Sequence, residues 1–215
     1  DIYDKRHIHC DVLIVGAGPS GLIAALTAAR SGARVILADE QAQFGGSLLS
    51  ASCTIGGTTP VDWANKIVDE LRTFPEVKLL NRSTVIGYFD HNFLTINSRR
   101  THHLAPGDSD PRISRERLWR VRAGEVVLAT GAIERPLVFD GNDLPGVMLA
   151  SAVTTYIRRY GVAPGRTGVV FTNNDSGYQA AIDMAWAGME VVAIVDARGA
   201  PGAFVVAEAE ALGIP

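Results

Sequence analysis

Gly16-Ala17-Gly18-Pro19-Ser20-Gly21 have the types and spacing needed to hold a diphosphate. Gly16 allows a sharp turn out of a strand. Gly18 lets the main chain approach phosphate oxygens, and Gly21 lets a helix lie close to its sheet. A helix opening at Pro19 and Ser20 turns unpaired N–H groups and the positive end of its dipole toward the same point. Two acids, Asp39 and Glu40, follow. A carboxylate there accepts hydrogen bonds from ribose hydroxyls and repels a 2′-phosphate, which disfavours NADP and favours NAD or FAD. Asp39 is the first choice, because Val35, Leu37 and Asp39 alternate on one strand face; Glu40 competes for the role.

The elements that must position these residues are legible around them. Apolar runs at 12–15 and 35–38 read as strands, and Ala24, Ala25, Ala28 and Ala29 keep the intervening helix thin. A glycine motif that follows a strand, opens a helix and is trailed by an acid is far more specific than the motif alone. The glycine-rich loop 40–58 passes the same end of the sheet, so Gly46 and Ser47 can bring an N–H and a hydroxyl toward the ribose or pyrophosphate. A buried strand at 125–128 ends in Ala129, Thr130 and Gly131, small residues that permit close approach of a nucleotide.

Elsewhere, residues 61–73 show helical periodicity, and short strands at 77–80, 84–89 and 93–98 predict an inserted antiparallel ribbon. Residues 1–10 read as a polar lead-in, and 102–103 with 107–120 as a solvated hairpin or loop. Residues 134–146 form a crossing loop and 150–160 a helix with a basic end. From Gly168 a second strand–helix–strand begins, but Asn173-Asn174-Asp175-Ser176-Gly177-Tyr178 replaces the glycine motif; this half is not read as a second dinucleotide site. The fold class is α/β: a doubly wound, Rossmann-like FAD/NAD(P)-binding fold over residues 1–150, and a truncated second Rossmann-like domain over 151–215.

The 215 residues are 47% hydrophobic with a net charge of −3, an ordinary globular composition that makes no electrostatic case for nucleic acid. No apolar run is long enough to cross a bilayer. Cys10 and Cys53 form no local redox pair and read as free thiols of a reducing compartment, which with the lack of a visible signal peptide suggests the cytoplasm. The His7/His9 and His102/His103 pairs lack further ligands, so no metal is expected. No constellation suited to acid–base or nucleophilic catalysis stands out, and no catalytic residue is assigned.

The element order resembles the two-dinucleotide-binding flavoproteins. ADEQAQFGGSLL (38–49), TVIGYFDHNFL (84–94), ATGAIERPLVFDGNDLPGVMLASAV (129–153), RYGVAPGR (159–166) and VVFTNNDSGY (169–178) resemble the α subunits of heterotetrameric sarcosine oxidases. Related α subunits are those of opine oxidases, dye-linked proline dehydrogenases and hydrogen cyanide synthase. The resemblance implies a hetero-oligomeric enzyme that oxidises the N-methyl group of sarcosine, giving glycine and hydrogen peroxide. With tetrahydrofolate, the one-carbon unit leaves as methylenetetrahydrofolate. It implies FAD in a partner subunit, FMN near the subunit interface, and NAD at the glycine motif of the α subunit. The NAD contacts it implies are Ser20, Asp39, Glu40, Gln41 and Ser47, with Val85 or Ile86 beside the adenine. Ser20 stands where the family often has Ala, and Ser47 where it often has Thr. Under this reading the chain holds a cofactor and lacks the substrate-oxidising site. The alternative is a related amine, opine or proline dehydrogenase, or a cyanide-forming oxidoreductase, with FAD at the same motif. A third reading, a structural module with a decayed site, is opposed by the intact glycines and Asp39.

Overall fold

Residues apolar on both faces of short parallel strands decide the centre of the first unit. The computed structural model describes residues 3–105 and 107–215. Unit 1 comprises the chain up to Leu48 together with Cys53–Gly131. Its elements are β1 (Tyr3–Val15), α1 (Pro19–Arg30), β2 (Val35–Ala38), α2 (Pro60–Thr73), β3 (Val77–Leu80), β4 (Ser83–Phe89), β5 (Phe93–Arg99) and β6 (Glu116–Leu128). They form a six-stranded sheet in the order β3-β2-β1-β6-β5-β4, parallel from β3 to β6, with β4 and β5 joined as the antiparallel ribbon.

One sheet face, through Ile14, Val35 and Leu37, packs against Leu22 and Ala25 of α1 and Leu71 of α2. Pro60 opens α2 behind Thr59, whose hydroxyl accepts from Asp62 N–H at 3.1 Å, a cap worth about 1 kcal/mol. The other face, through Leu13, Ile36 and Ala38, is covered by Leu94, Ile96 and Val121 of the ribbon and β6. Helices therefore lie on one side of the parallel strands and the sheet's own far half on the other. A buried hydroxyl chain fixes the ribbon: Ser83 Oγ and Ser98 Oγ lie 2.6 Å apart, and Trp119 Nε1 donates to Ser98 at 2.9 Å.

Three segments differ from the sequence expectation, the first being the strand at 125–128, which leaves Val127 and Leu128 exposed rather than buried. Residues 3–10 are the first half of β1 rather than a lead-in (Asp1 and Ile2 lie outside the described residues), and Glu116 onward is strand rather than loop. The first half of β1 pairs in parallel with the first half of β6, Tyr3 opposite Glu116 through Cys10 opposite Ala123. The two halves meet at Asp11 and Gly124, where a side chain on Gly124 would lie 2.8 Å from the Asp11 carbonyl. These stretches carry Lys5, His7, His9, Arg120 and Arg122 on the face turned from the core and Asp4 and Arg117 on the other, so their composition imitates a loop. Arg117 compensates with a forked pair on Asp4, Nε to Oδ1 at 2.8 Å and Nη2 to Oδ2 at 2.7 Å.

Unit 2 comprises Leu49–Ser52 and Ala132–Pro215. It holds α3 (Ala150–Tyr160), β7 (Thr167–Thr172), α4 (Ser176–Trp186), β8 (Glu190–Asp196) and α5 (Ala203–Ala211). β7 and β8 are parallel and connected through α4, a strand–helix–strand unit as expected. Fully buried Asp183 of α4 accepts on Oδ1 from Arg158 Nε and Nη2 of α3 at 2.9 and 2.6 Å, and from Gln179 Nε2 at 2.9 Å. No helix of the described residues is long and apolar enough to cross a membrane.

The hydrogen bonds from Arg117 hold the Asp4 carboxyl below its ordinary pKa of 3.8, outweighing desolvation. A lowered carboxyl pKa stabilises the fold above the unfolded-state value, and this contribution is lost as pH falls through the folded-state value. Asp4→Asn should therefore lower the melting temperature at pH 7 by roughly 1–3 °C, the pair being partly exposed and screened. The wild-type and variant curves should converge below the ordinary carboxylate range. A gap that persists unchanged in acid would contradict the assignment.

Candidate functional site

The end of β1 turns into α1 through a loop whose main chain is wired to its surroundings. Gly16 N–H donates to the Ala38 carbonyl at 2.8 Å, extending the β1–β2 ladder by one step. Ala17 N–H donates to Asp39 Oδ2 at 2.6 Å, and Gln41 N–H donates to Asp39 Oδ1 at 2.8 Å. The Ala17 carbonyl accepts from Gly45 N–H at 2.9 Å. Asp39, 9% exposed, thus has a backbone amide on each carboxylate oxygen. Glu40 is exposed, and no hydrogen bond of its carboxylate is seen among the described residues. The first-choice ribose acid is engaged inside the protein, and its competitor faces outward.

The glycines divide by what a side chain would meet. Gly16 has φ +97°, and a Cβ there would run into the Ala129 carbonyl. On Gly21 it would collide with the Gly16 carbonyl. On Gly46, at φ +54°, it would lie 2.8 Å from Gly18 Cα. A Cβ on Gly18 meets nothing within 4 Å. Three glycines are thus demanded by the chain's own packing, and Gly18 opens onto free space.

That space adjoins the start of α1. Gly18 is the N-cap and makes no side-chain cap, and Pro19 occupies the first turn, so the first-turn amides of Ser20 and Gly21 have no side-chain acceptor. Ser20, Gln41 and Ser47 are exposed beside Glu40's loop. Ala129 N–H donates to the Val15 carbonyl at 2.8 Å, which carries exposed Thr130 and Gly131 past the glycine turn. Asp39 also anchors the next turn: its N–H donates to the Leu80 carbonyl at 2.9 Å, and its carbonyl accepts from Ser83 N–H at 2.8 Å. Val85, two residues on, packs partly into the second apolar cluster, while Ile86 is 60% exposed.

Contributions that the sequence did not announce are Ala17, through its amide, and Arg99. Arg99 Nη2 donates to the Glu40 carbonyl at 3.3 Å. Arg99 belongs to the ribbon and is far away in sequence, and no local pattern marks it.

The corresponding end of unit 2 is filled. Arg198 Nη2 donates to Asp175 Oδ1 at 2.7 Å and to Asp196 Oδ2 at 2.8 Å. Hydrogen bonds from Arg198 hold the Asp196 carboxyl down to about 2, and buried Tyr178 bonds the same group. The acid that ends β8 and the position expected near phosphates are thereby bridged by one guanidinium. Burial pushes the Cys10 thiol up to about 11, so it is a core residue without nucleophilic character at neutral pH, whereas Cys53 is exposed. Among the described residues no group of three His, Cys, Asp or Glu could hold a metal.

Comparison with known proteins agrees with this geometry. Residues 11–93, which contain the glycine turn and both acids, match the family model described as FAD dependent oxidoreductase. The chain is 54% identical to sarcosine oxidase subunit alpha of Rhizobium meliloti (strain 1021), over 94% of this chain and 20% of that one. It is 51% identical to sarcosine oxidase subunit alpha of Corynebacterium sp. (strain P-1), over 98% of this chain and 21% of that one. The chain spans about a fifth of the length of these relatives. The fold is shared with L-proline dehydrogenase from P. horikoshii: TM-score 0.66, 24% identity, covering 91% of this chain and 36% of that one. The resemblance to sarcosine oxidase α subunits thus extends along nearly the whole chain.

The glycine geometry makes two variants diagnostic. Gly18→Ala in the full-length protein should leave the melting temperature within about 2 °C of wild type, since φ there is −71° and the space is empty. It should weaken dinucleotide binding at least roughly tenfold, about 1.4 kcal/mol, in a calorimetric titration. Gly21→Ala should instead lower stability by about 1–3 kcal/mol through overpacking. Equal nucleotide affinity in Gly18→Ala and wild type would put the phosphates elsewhere.

Proposed function

We propose that unit 1 holds the ADP half of a dinucleotide, and that the whole protein acts as the α subunit of a sarcosine oxidase complex in which that dinucleotide is NAD. The observation that carries the binding reading is Gly18, the motif glycine whose missing side chain the fold does not itself require. The pyrophosphate would lie against Gly18 and the first-turn amides of α1, where the helix dipole favours negative charge. Glu40 would accept from the ribose hydroxyls. Asp39 acts one step back, as a positioning residue that holds the Ala17 and Gln41 amides. Gln41, Ser47, Thr130 and Gly131 would line the remaining rim, with Ile86 offering an apolar contact beside the base and Val85 setting its place.

The chemistry of the complete enzyme rests on the 49–54% identity to sarcosine oxidase α subunits. Oxidative demethylation of sarcosine, with oxygen and tetrahydrofolate, would use FAD and FMN held with the partner subunits of a cytoplasmic heterotetramer. The stretch described here is given no substrate-oxidising residue. Its work is to bind and orient a cofactor and to keep side chains out of the pyrophosphate's path.

One observation favours a second reading. The family model over residues 11–93 is one of FAD-dependent enzymes, and FAD presents the same ADP half to the same loop. In that case unit 1 would carry a redox flavin, as in a related amine, opine or proline dehydrogenase. Mass spectrometry of nucleotides released from the purified full-length complex separates the two. NAD, with flavin lost only on removing a partner subunit, supports the first reading. FAD that stays with this chain and is lost in Gly18→Val supports the second, and release of neither overturns both.

The division of labour between the two acids can be measured directly. Glu40→Gln should leave stability unchanged and weaken dinucleotide binding several-fold. Asp39→Asn should cost about 1–3 kcal/mol of stability in urea unfolding, because an amide accepts through one oxygen and leaves a buried N–H unmatched. Loss of binding in Asp39→Asn with wild-type stability, and no effect in Glu40→Gln, would return the ribose role to Asp39.

A further inference from the structure

The face of the β1, β5 and β6 first halves turned away from the core carries a cationic and aromatic cluster that the nucleotide site does not use. His7, His9, Phe89, Phe93, Arg120 and Arg122 line a hollow of about 650 Å³ on it. His7 stands opposite Arg120 and His9 opposite Arg122 in the parallel ladder, and Arg120 and Arg122 lie opposite Thr95 and Phe93. The two arginines therefore share one sheet face, about 6.6 Å apart along the strand. Arg122 stacks over the Phe93 ring at 5.0 Å, and its Nη1 donates to the His91 carbonyl at 3.1 Å. Arg120 Nη1 lies 3.4 Å from His7 Nε2.

No carboxylate of the described residues answers this charge. Among the described residues neither Arg120 nor Arg122 has an acidic partner. Glu116, on the same strand face, is engaged by His102 at 3.1 Å and by Asn97 at 3.4 Å. Asp11, at the other end, is held by Arg34 at 2.6 Å. The hollow is broad and bordered by the exposed His7, His9, Phe89 and Arg122. A small anion would keep most of its surface in water there, whereas bound small molecules are ordinarily enclosed. Arginines beside solvent-facing aromatic rings are the composition of interface anchors.

We propose that this sheet face docks a carboxylate-bearing surface of a partner polypeptide, with Arg120 and Arg122 as the anchors and Phe89 and Phe93 as the apolar contact beside them. The commitment to a polypeptide follows from the breadth of the face, its unanswered positive charge, and the close relatives being named as subunits. The proposal rests on the assembly with other subunits and not on which nucleotide is bound.

The test uses the full-length protein co-purified with its partner subunits. Arg120→Glu with Arg122→Glu should weaken subunit association at least roughly tenfold in sedimentation velocity, more steeply at low salt, while the nucleotide content per chain is unchanged. His9→Glu, at an exposed position, should act in the same direction and serves if the double variant folds poorly. Lys5 is exposed on the same strand face, so a zero-length carbodiimide should couple its amine to an aspartate or glutamate of the partner. Undiminished association in the folded variants, with no Lys5 cross-link, overturns the proposal and leaves the nucleotide reading standing. Self-association of this chain through the face overturns it as well. A wild-type chain that purifies without any partner defeats the assembly reading first, and this proposal with it.

Discussion

The Asp39 carboxylate joins three chain segments that would otherwise end as separate loops. Ala17 is fully buried, and an unanswered N–H there would cost about 1–3 kcal/mol. Asp39 answers it with one oxygen and fixes Gln41 with the other, while its own backbone reaches Leu80 and Ser83. The glycine turn, the loop after β2 and the turn into the ribbon are thereby set against one another. Gly45 closes the arrangement on the Ala17 carbonyl. An acid with both oxygens committed inward at 9% exposure is poorly placed to serve a ligand as well, and the ribose role proposed for the neighbouring exposed Glu40 follows from that.

A second constraint follows from the length of β1 and β6. Each has thirteen residues, and each serves two environments. The second half of β1 is interior, with Leu13 and Ile14 buried completely and ending at the glycine turn, whereas that of β6 leaves Val127 and Leu128 exposed. The first halves continue the same ladder past Gly124, and that of β6 pairs with the ribbon and gives it Val121 as core. One pair of strands thus links the glycine turn to the ribbon covering the opposite face of the parallel strands. The outer face of that extension is free of packing duties, so its side chains can be charged without cost to the core.

What was legible in the sequence follows from which signals are local. The glycine turn, α1, β2, α2, the ribbon strands and the second strand–helix–strand all have a period or a punctuation that short-range reading detects. The first half of β1 and the start of β6 have neither. His7, His9, Arg117 and Arg120 sit on strands whose inward partners, Ile8, Cys10, Trp119 and Val121, are too few to outweigh the charges. Their extended form depends on pairing across more than a hundred residues, Asp4 to Arg117. The elements around the candidate site were legible, and the hydrogen bonds within it were not. Alternation along β2 pointed to Asp39 as the acid on the useful face. The bond from Ala17 that occupies it depends on the turn's three-dimensional course, which no spacing encodes.

The two strand–helix–strand units show why architecture alone does not make a binding site. In both, a glycine near the start of the helix allows a close approach: Gly21 against the Gly16 carbonyl, and Gly177 against the Thr172 side chain. In both, an acid ends the second strand. The difference lies in what faces the first turn of the helix. In unit 1 it is Gly18 and open space. In unit 2 it is Asp175, whose charge at that point needs a cation, and Arg198 supplies one while also taking Asp196. An anion entering there would have to displace a guanidinium bridging two carboxylates and then lie beside the bared Asp175. The side chain at a single backbone position, absent at residue 18 and acidic at residue 175, thus separates the proposed phosphate cradle from a self-neutralised crevice of the same design.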